Sequence, residues 1–463
     1  MRLIVWAEWL RFRRSRANMA ILAAYSVILA LSAIWATLGA QQHRQDQVRQ
    51  AAASDALIQQ AQHAAAKPGA TPDHKSAAMQ AFTLGRSMAG LAQLPTAPGL
   101  ALSLSRYDTL NTRVAVSVES RHADGRRSDA LSNPALGQYG AFDLAVVVTL
   151  LLPLVAIGWC AGTVQEDREQ GVWRAVCAQA ARPWMAFHAA LAIRATALIV
   201  PPALACGLSM ALDAGAAAWP AMVWWTLCLA AYAVFWIALC GLLARFPVSS
   251  AAALLIALTA WLLLTYAVPA SLESLAAARH PMPSRLASIV DLRRAQQNAE
   301  VRMPELLAGW YSRHPESAPL ISHGHTWPVT FLPRFEHQDQ QLRPLMRSFD
   351  QQRLAQGAFL ERWIWLAPPV ALLGMADHLA GISVARHAAF MDDVDRYEQE
   401  WREFFVPRVM SYRGLSEDDF SRIPRFQTAE PTTPDAAWLL LRNLLLVDIA
   451  LIVLLLAGTR QKL

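Results

Sequence analysis

The sequence predicts an all-α polytopic membrane protein with six transmembrane helices, and three features of its composition and patterning support this fold class. The chain of 463 residues is 55% hydrophobic and only 16% charged, whereas soluble domains carry about 25% charged residues. Apolar runs of roughly 20 residues recur along the chain, and each is long enough to cross a bilayer. The 41 basic residues include only three lysines, and the arginines cluster beside the apolar runs. Topology signals explain that pattern better than nucleic-acid binding does, so no nucleic-acid partner is expected.

Six apolar runs are expected to cross the lipid bilayer. They cover residues 19–40, 138–161, 184–210, 221–243, 249–268 and 436–457. The first run is longer than the apolar core of a signal peptide, which has about 7–15 residues, so we expect an uncleaved span. An Arg-rich stretch precedes it, and Arg460 and Lys462 follow the last run. The positive-inside rule therefore places both termini in the cytoplasm.

Two further helices are predicted to lie along the membrane instead of crossing it. Residues 1–18 are expected to form a cytoplasmic amphipathic helix in the interface, because apolar side chains share one helical face, namely Leu3, Trp6 and Leu10. Residues 363–384 are apolar enough to suggest a span, but they contain a proline pair and an Asp-His pair. A seventh span would also move the C-terminus outside. We therefore expect an amphipathic or re-entrant helix on the outer side.

The remaining polar residues fall mainly into two large extracytoplasmic segments, 41–137 and 270–435, both predicted to be mostly helical. The first span is expected to continue outward as a helix to about residue 66, because this stretch lacks glycine and proline. A second helix is predicted at about 74–93. Alternating valines then predict one short strand; they are Val114, Val116 and Val118.

The loop at 162–183 is predicted to lie in the cytoplasm, between the second and third spans. It contains four consecutive charged side chains at 166–169, and each would cost roughly 2.5–3.5 kcal/mol in the centre of the bilayer. The loop is long enough for one short helix, whose first turn would hold acidic side chains that favour the positive end of the helix dipole; these are Glu166, Asp167 and Glu169. An apolar edge follows, formed by Trp173, Val176 and Cys177. The helix is either a plain connector or a docking element.

Motifs for catalysis and cofactor binding are absent from the sequence. No lysine follows a glycine, which excludes a P-loop, and neither G-x-S-x-G nor H-E-x-x-H occurs. No catalytic residue and no cofactor is therefore expected in this chain. His323 and His325 form a weak metal-site candidate, for which a solvated loop is the plainer interpretation. The five cysteines lie within or at the inner ends of apolar runs, so no disulfide framework is indicated.

The order of these elements resembles the permease subunits of type 2 ABC transporters. The first inner loop of that superfamily commonly carries an acidic-Arg-Glu-x-Gly run, which Glu166, Arg168, Glu169 and Gly171 match; Val172 replaces the threonine that often follows. More specifically, the chain resembles a poorly characterised branch often labelled multi-copper enzyme maturation permease, although no copper site is visible in it. The residues that match this branch are Asn133-Pro134, Phe142-Asp143-Leu144, Pro153-Leu154, His378-Leu379-Ala380-Gly381, Arg386-His387, Phe390, Tyr397, Trp401, Phe404-Phe405, Pro407, Asp418-Asp419-Phe420, Ile423-Pro424 and Phe426.

This resemblance implies the permease subunit of an ATP-driven exporter in the inner membrane of a bacterium. A second permease, identical or homologous, would pair with the chain, and a separate ATP-binding subunit would bind ATP and Mg. That subunit would dock on the inner loop, called a coupling helix in this family. The docking residues would be Glu166, Asp167, Arg168, Glu169, Gly171, Trp173 and Arg174. The amphipathic helix would pack beside them, and the outer segments would gate the exit or engage a periplasmic partner.

Two other functions compete with this interpretation. The chain could be an ATPase-independent membrane protein for assembly or metal handling, acting through its extracytoplasmic segments. It could also be an intramembrane or outer-surface enzyme, but such an enzyme needs a catalytic constellation that the sequence lacks. An ATP-binding subunit encoded nearby would separate the transporter from both alternatives.

Overall fold

The structure, a computed structural model, describes residues 2–65, 74–119, 143–179, 184–318, 327–428 and 434–457. Most of these residues lie in α-helices. The first half of the chain forms α1 (Arg2–Arg14), α2 (Arg16–Ala65), α3 (His74–Arg86), β1 (Leu91–Gln93), α4 (Leu104–Thr109), β2 (Arg113–Ala115), α5 (Leu144–Cys160), α6 (Thr163–Glu169), α7 (Val172–Gln179), α8 (Trp184–Ala214) and α9 (Trp219–Leu243). The second half forms α10 (Ser250–Leu262), α11 (Val268–Arg279), α12 (Arg285–Val301), α13 (Met303–Arg313), α14 (Trp327–Trp363), α15 (Pro368–Ala380), α16 (Val384–Met410), α17 (Glu417–Phe420) and α18 (Pro434–Ala457).

The prediction of an all-α polytopic protein is confirmed, since six described helical stretches are long and apolar enough to cross a membrane. They are Arg16–Ala65, Leu144–Glu169, Trp184–Leu243, Ser250–Arg279, Pro368–Met410 and Ala436–Leu456. The third of these contains two predicted spans, α8 and α9, which turn back on each other at Gly215–Ala218. Inner and outer denote below the sides that the sequence predicts.

Helix α15 occupies the stretch that we expected to be amphipathic or re-entrant. It has 13 residues and so rises about 20 Å, which is less than the roughly 30 Å of a hydrocarbon core. It ends at Gly381, whose φ of 78° stops the helix. The helix packs against α5, α9 and α18. Its length therefore favours a helix inserted beside the spans over a seventh span.

The apolar bundle consists of α5, α8, α9, α18 and the first half of α2. Its centre is aromatic, with Trp225, Tyr232 and Trp236 fully buried on α9. The Tyr232 hydroxyl donates to the Thr149 carbonyl on α5 at 2.8 Å. On α2, the Thr37 hydroxyl lies 2.8 Å from that of Ser209 on α8. Polar side chains thus satisfy each other across helices, as a bilayer interior requires.

Helix α2 continues far beyond the bilayer, as its composition predicts. Its 50 residues correspond to about 75 Å of helix. The outer half contacts the segment that follows it: the Gln47 amide donates to the Leu94 carbonyl at 3.0 Å, and the Ser54 hydroxyl donates to the Ala89 carbonyl at 2.9 Å. The first span is therefore continuous with the support of the outer segments.

The prediction of a second helix to about residue 93 was wrong at its end. Helix α3 ends at Arg86, and β1 pairs antiparallel with β2, so that Ala92 lies opposite Val114. Gly90 precedes the hairpin, and a Cβ there would meet the Val116 carbonyl oxygen at 2.6 Å. This close approach needs glycine and separates the helix from the strand. The predicted strand thus exists, but it has a partner strand that the sequence did not reveal.

A second, polar part of the chain sits on the outer side, and we call it the polar module. It comprises α3, the β1–β2 hairpin, α12, α13, α14 and α16. Trp401 on α16 lies at its centre, is fully buried, and donates its indole N–H to the Gly85 carbonyl at 2.9 Å. The Phe405 ring lies 4.7 Å from it. This aromatic centre joins α16 to the end of α3, nearly the full length of the chain apart.

Several predicted boundaries shift in the structure. The fifth span, expected at 249–268, belongs to a helix that continues through a π-helical turn at Leu263–Ala267 and on to Arg279. The third span runs on to Ala214, through the prolines 201 and 202 that were expected to kink it, and the fourth begins at Trp219. Residues 120–142, which include the predicted start of the second span, lie outside the described residues.

Candidate functional site

The inner loop contains two short helices, so the prediction of one helix was wrong. Helices α6 and α7 are separated at Gln170 and Gly171. Gly171 adopts a φ of +75°, which residues with a side chain rarely adopt. Helix α6 also starts at Thr163, so only Glu166 lies in its first turn. The favourable interaction with the helix dipole therefore applies to Glu166 alone of the three predicted carboxylates.

Helix α6 is bonded to the turn that joins α9 and α10. The Gln165 amide donates to the Leu243 carbonyl at 2.8 Å, and Arg168 donates to the Phe246 carbonyl at 3.3 Å. Glu169 accepts bonds from the backbone N–H and the hydroxyl of Ser250, at 2.8 and 2.9 Å. These bonds to Ser250 hold the pKa of the Glu169 carboxyl below its usual value. The helix is thereby fixed against the inner ends of two predicted spans.

Helix α1 contacts α6 from the other side. Arg11 donates to the Asp167 carboxylate at 2.8 Å, and this hydrogen bond raises the pKa of the Arg11 guanidinium. The Phe12 ring meets the Trp159 ring edge-on at 5.1 Å. Trp6 and Trp9 are exposed on α1, as an interfacial helix requires. The first and last residues of the acidic run are thus treated differently, since α1 binds Asp167 while Ser250 binds Glu169.

A polar crevice of about 230 Å³ lies between α1, α5, α6 and α8. Its walls include Glu8, Arg11, Glu166 and Arg194. Burial raises the pKa of the Glu8 carboxyl above its usual value. The position of Arg194 agrees with the predicted snorkelling of this side chain toward the inner surface. The crevice keeps water and charge close to the inner ends of the spans.

Helix α7 is the exposed part of the loop, and none of its residues is buried. Val172 is 44% exposed, and Arg174 and Cys177 are exposed as well. The Trp173 ring packs edge-on against the Trp184 ring at 5.2 Å, which ties α7 to the start of α8. The arrangement therefore presents one short helix with an apolar edge on a base that is bonded to three other elements.

The structure divides the seven predicted docking residues into two groups. Three of them are engaged inside the chain: Asp167, Arg168 and Glu169. Glu166 contacts only Gln170 of the adjoining turn, at 3.3 Å, and Gly171 and Arg174 are exposed. Trp173 is half-buried against Trp184. The surface left for a partner is accordingly Glu166 together with α7.

Replacing Glu169 by glutamine is expected to loosen α6. The neutral side chain loses the charge-assisted bonds to Ser250, so amide hydrogen exchange in α6 should rise several-fold at neutral pH. Because the folded-state pKa of Glu169 is lowered, its stabilising contribution is present at neutral pH and disappears as the pH falls through that lowered value. Glu166→Gln is the matched control and should leave exchange unchanged. Equal exchange in both variants would show that the Ser250 contact does not fix the helix.

The outer ends of the spans are bonded to the polar module through charged side chains. Arg44 on α2 pairs with Asp213 on α8 at 2.8 Å, and the Asp213 side chain is fully buried. Asp143, at the start of α5, accepts from the backbone N–H groups of Ser105 and Arg106 at 2.7 and 3.3 Å. The prediction treated Asp143 as a plain interfacial residue, whereas it fixes α4 to the second span. Movement of the spans would therefore reach the outer segments directly.

Asp448 is a buried carboxyl that the sequence-based prediction missed. It lies near the middle of α18 and is 3% exposed. Neither of its oxygens has a hydrogen-bond partner among the residues that the structure describes. Ionisable residues within spans are costly and usually functional. A single aspartate inside the last apolar run was the signal that could have identified it.

The weak metal-site candidates, His323 and His325, lie outside the described residues. Within the described ranges, no group of three or more histidine, cysteine, aspartate or glutamate side chains is placed to hold a metal ion.

A family described as "Domain of unknown function (DUF3526)" matches residues 285–429, which run from α12 past α17. The match covers most of the polar module and α15, and it leaves out the inner loop. No curated protein and no solved structure matches the chain. The comparisons therefore single out the outer half of the molecule and name no activity for it.

Proposed function

We propose that this chain is the transmembrane permease subunit of an ATP-driven ABC exporter. It would couple ATP hydrolysis by a separate ATP-binding subunit to the movement of a substrate across the inner membrane of a bacterium. One observation supports this most strongly: α6 is bonded to its neighbours on two sides, while α7 beside it stays exposed. Plain connectors need neither the anchoring nor the exposed helix.

The anchoring suits an element that transmits force. A push on α7 would reach α6 through the short turn at Gly171, and α6 is bonded to the inner ends of α9 and α10. The Arg11–Asp167 pair would pass the same displacement to α1. A flexible loop would absorb such a displacement, whereas this arrangement passes it to several helices.

The partners follow from what the chain lacks and what it exposes. Because the sequence has no P-loop, the ATP-binding subunit would supply the ATP and Mg sites. Helices α10 and α11 leave most of their apolar window outside the bundle. In the bilayer that surface would face lipid or a second permease, identical or homologous. The complex would then contain two permeases and two ATP-binding subunits.

Copurification with the ATP-binding subunit from the same genomic neighbourhood tests the docking role. Reversing the charges of Glu166 and Glu169 together is expected to lower copurification several-fold. Glu166→Arg alone is the cleaner variant, because Glu169 also holds Ser250. Glu300→Arg in α12, an exposed carboxylate on the opposite side, is the matched control. Unchanged copurification of Glu166→Arg, or ATP hydrolysis by the chain alone, would argue against the proposal.

One observation favours the alternative of an ATPase-independent assembly protein. An open cleft of about 640 Å³ lies between α14 and α16 in the polar module. Its lining is largely charged, and the ring of Trp310 stacks on that of His314 at 4.3 Å. Such a cleft suits an extracytoplasmic partner. A genomic neighbourhood without an ATP-binding subunit would favour this alternative.

A further inference from the structure

A cavity of about 360 Å³ lies at the outer side, where α11, α14, α15 and α18 meet. Its volume falls within the range of about 300–1,000 Å³ that is typical of small-ligand sites. Most of its walls are aliphatic, contributed by Leu272, Leu360, Ile364, Val370, Leu439 and Leu440. Helices α11 and α18 are the outer ends of the predicted fifth and sixth spans. The cavity therefore lies where the hydrocarbon of the outer leaflet meets its polar headgroups.

Gly374 on α15 keeps part of this cavity open. A Cβ at that position would lie 3.6 Å from both Ile364 Cδ1 and Leu440 Cδ2, an ordinary van der Waals distance. One methyl group therefore fits, whereas a longer side chain would fill the cavity. Apolar cavities of this size exclude water. In a membrane, the available occupant is a hydrocarbon chain.

The rim of the cavity is acidic. Asp377 pairs with Arg106 at 2.9 Å and accepts from the Ser103 hydroxyl at 3.1 Å, so this pair adds no net charge. Glu273 and Glu361 also line the cavity; both are exposed. Neither has an ion-pair partner among the described residues. Two uncompensated carboxylates beside an aliphatic cavity select for a cation that is attached to a hydrocarbon chain.

The helix that supplies one wall is irregular beside the cavity. A π-helical turn at Leu263–Ala267 precedes Pro269, which itself lines the cavity. Single π-helical turns within α-helices occur frequently at functional sites. The turn widens the helix just before it reaches the cavity and gives that wall a way to adjust.

We propose that this cavity binds the alkyl chain of one cationic amphiphile from the outer leaflet, with its positively charged head beside Glu273 and Glu361. The chain of the ligand would lie against α15 and α18, and the head would stay at the interface. This binding goes beyond the proposed transport function and does not require an ATP-binding subunit.

Native mass spectrometry of the purified full chain, released from a neutral detergent, tests the proposal with three ligands that share a 16-carbon chain. They are hexadecylamine, hexadecanol and hexadecanoate. We expect one hexadecylamine per chain, retained at least tenfold better than hexadecanol, and hexadecanoate retained least. Equal retention of all three, or stronger retention of hexadecanoate, would overturn the proposal.

Variants separate the cavity from the rim. Gly374→Leu should reduce hexadecylamine retention at least tenfold, whereas Gly374→Ala should keep it. The double variant Glu273→Gln and Glu361→Gln leaves the cavity intact and should reduce retention of the amine to that of the alcohol. Glu300→Gln is its control. Wild-type retention in either Gly374→Leu or the double variant would contradict the assignment.

The result is independent of the docking experiment. A chain that binds the amine but captures no ATP-binding subunit would keep this site and argue against the transporter. The converse result would remove the site and leave the transporter untouched.

Discussion

Replacing Trp401 by alanine is expected to destabilise the polar module by about 3–5 kcal/mol, because the change empties the largest space in its core. The side chain is fully buried. It packs against Phe405 and Tyr397, with ring centroids 4.7 and 5.7 Å away, and its N–H bond to the Gly85 carbonyl joins α16 to α3. The loss should be visible as faster amide hydrogen exchange in both helices.

Trp365→Ala is the matched control for this variant. The Trp365 side chain is 44% exposed at the end of α14, so its removal should cost about 1 kcal/mol or less. If exchange in α3 stayed at the wild-type rate in Trp401→Ala, the two helices would not share one core. The described packing of the polar module would then be incorrect.

Replacing Arg402 by methionine is expected to cost a similar amount, about 3–5 kcal/mol, for an electrostatic reason. Arg402 binds the Asp339 carboxylate at 2.6 Å and the Glu398 carboxylate at 3.2 Å. The two carboxylate side chains are only 9% and 10% exposed. Removing the guanidinium leaves two buried negative charges side by side, which the fold tolerates poorly.

Arg396→Met, one turn earlier on α16, is the control for the Arg402 variant. Its side chain is 67% exposed and pairs with Asp393 within the same helix, so its loss should cost about 0–1 kcal/mol. Thermal unfolding of both variants in detergent gives the comparison. Equal midpoints would show that the Arg402 cluster contributes no more than a surface pair.

The membrane architecture could be predicted from sequence because hydrocarbon imposes a simple rule on composition. Runs of about 20 apolar residues must be helices, so the bundle could be foreseen. The extension of α2 followed from a stretch without glycine and proline. The β1–β2 pairing could not be foreseen, since Leu91–Gln93 has no local strand signal and depends on a partner 22 residues later.

The candidate site shows the same division. Its location was predictable because four consecutive charges cannot lie in hydrocarbon. Its internal bonds were not, since Asp167 binds an arginine 156 residues away and Glu169 binds a serine 81 residues away. The break at Gly171 was also missed, because a glycine after an acidic run is equally compatible with the end of one helix. Only the tertiary contacts show which charges remain for a partner.

Cys177 offers the most direct test that α7 is the docking surface for an ATP-binding subunit on the cytoplasmic side. It is exposed on α7, whereas the other four cysteines are buried. The measurement is photo-crosslinking from a benzophenone attached to Cys177, in inverted membrane vesicles that contain both proteins, with Cys177→Ser as the control. We expect a single adduct between this chain and the ATP-binding subunit, absent from the control. A copurifying complex that gives no adduct, or labelling of Cys177 by an impermeant thiol reagent from the outer face of intact cells, would contradict the proposed role.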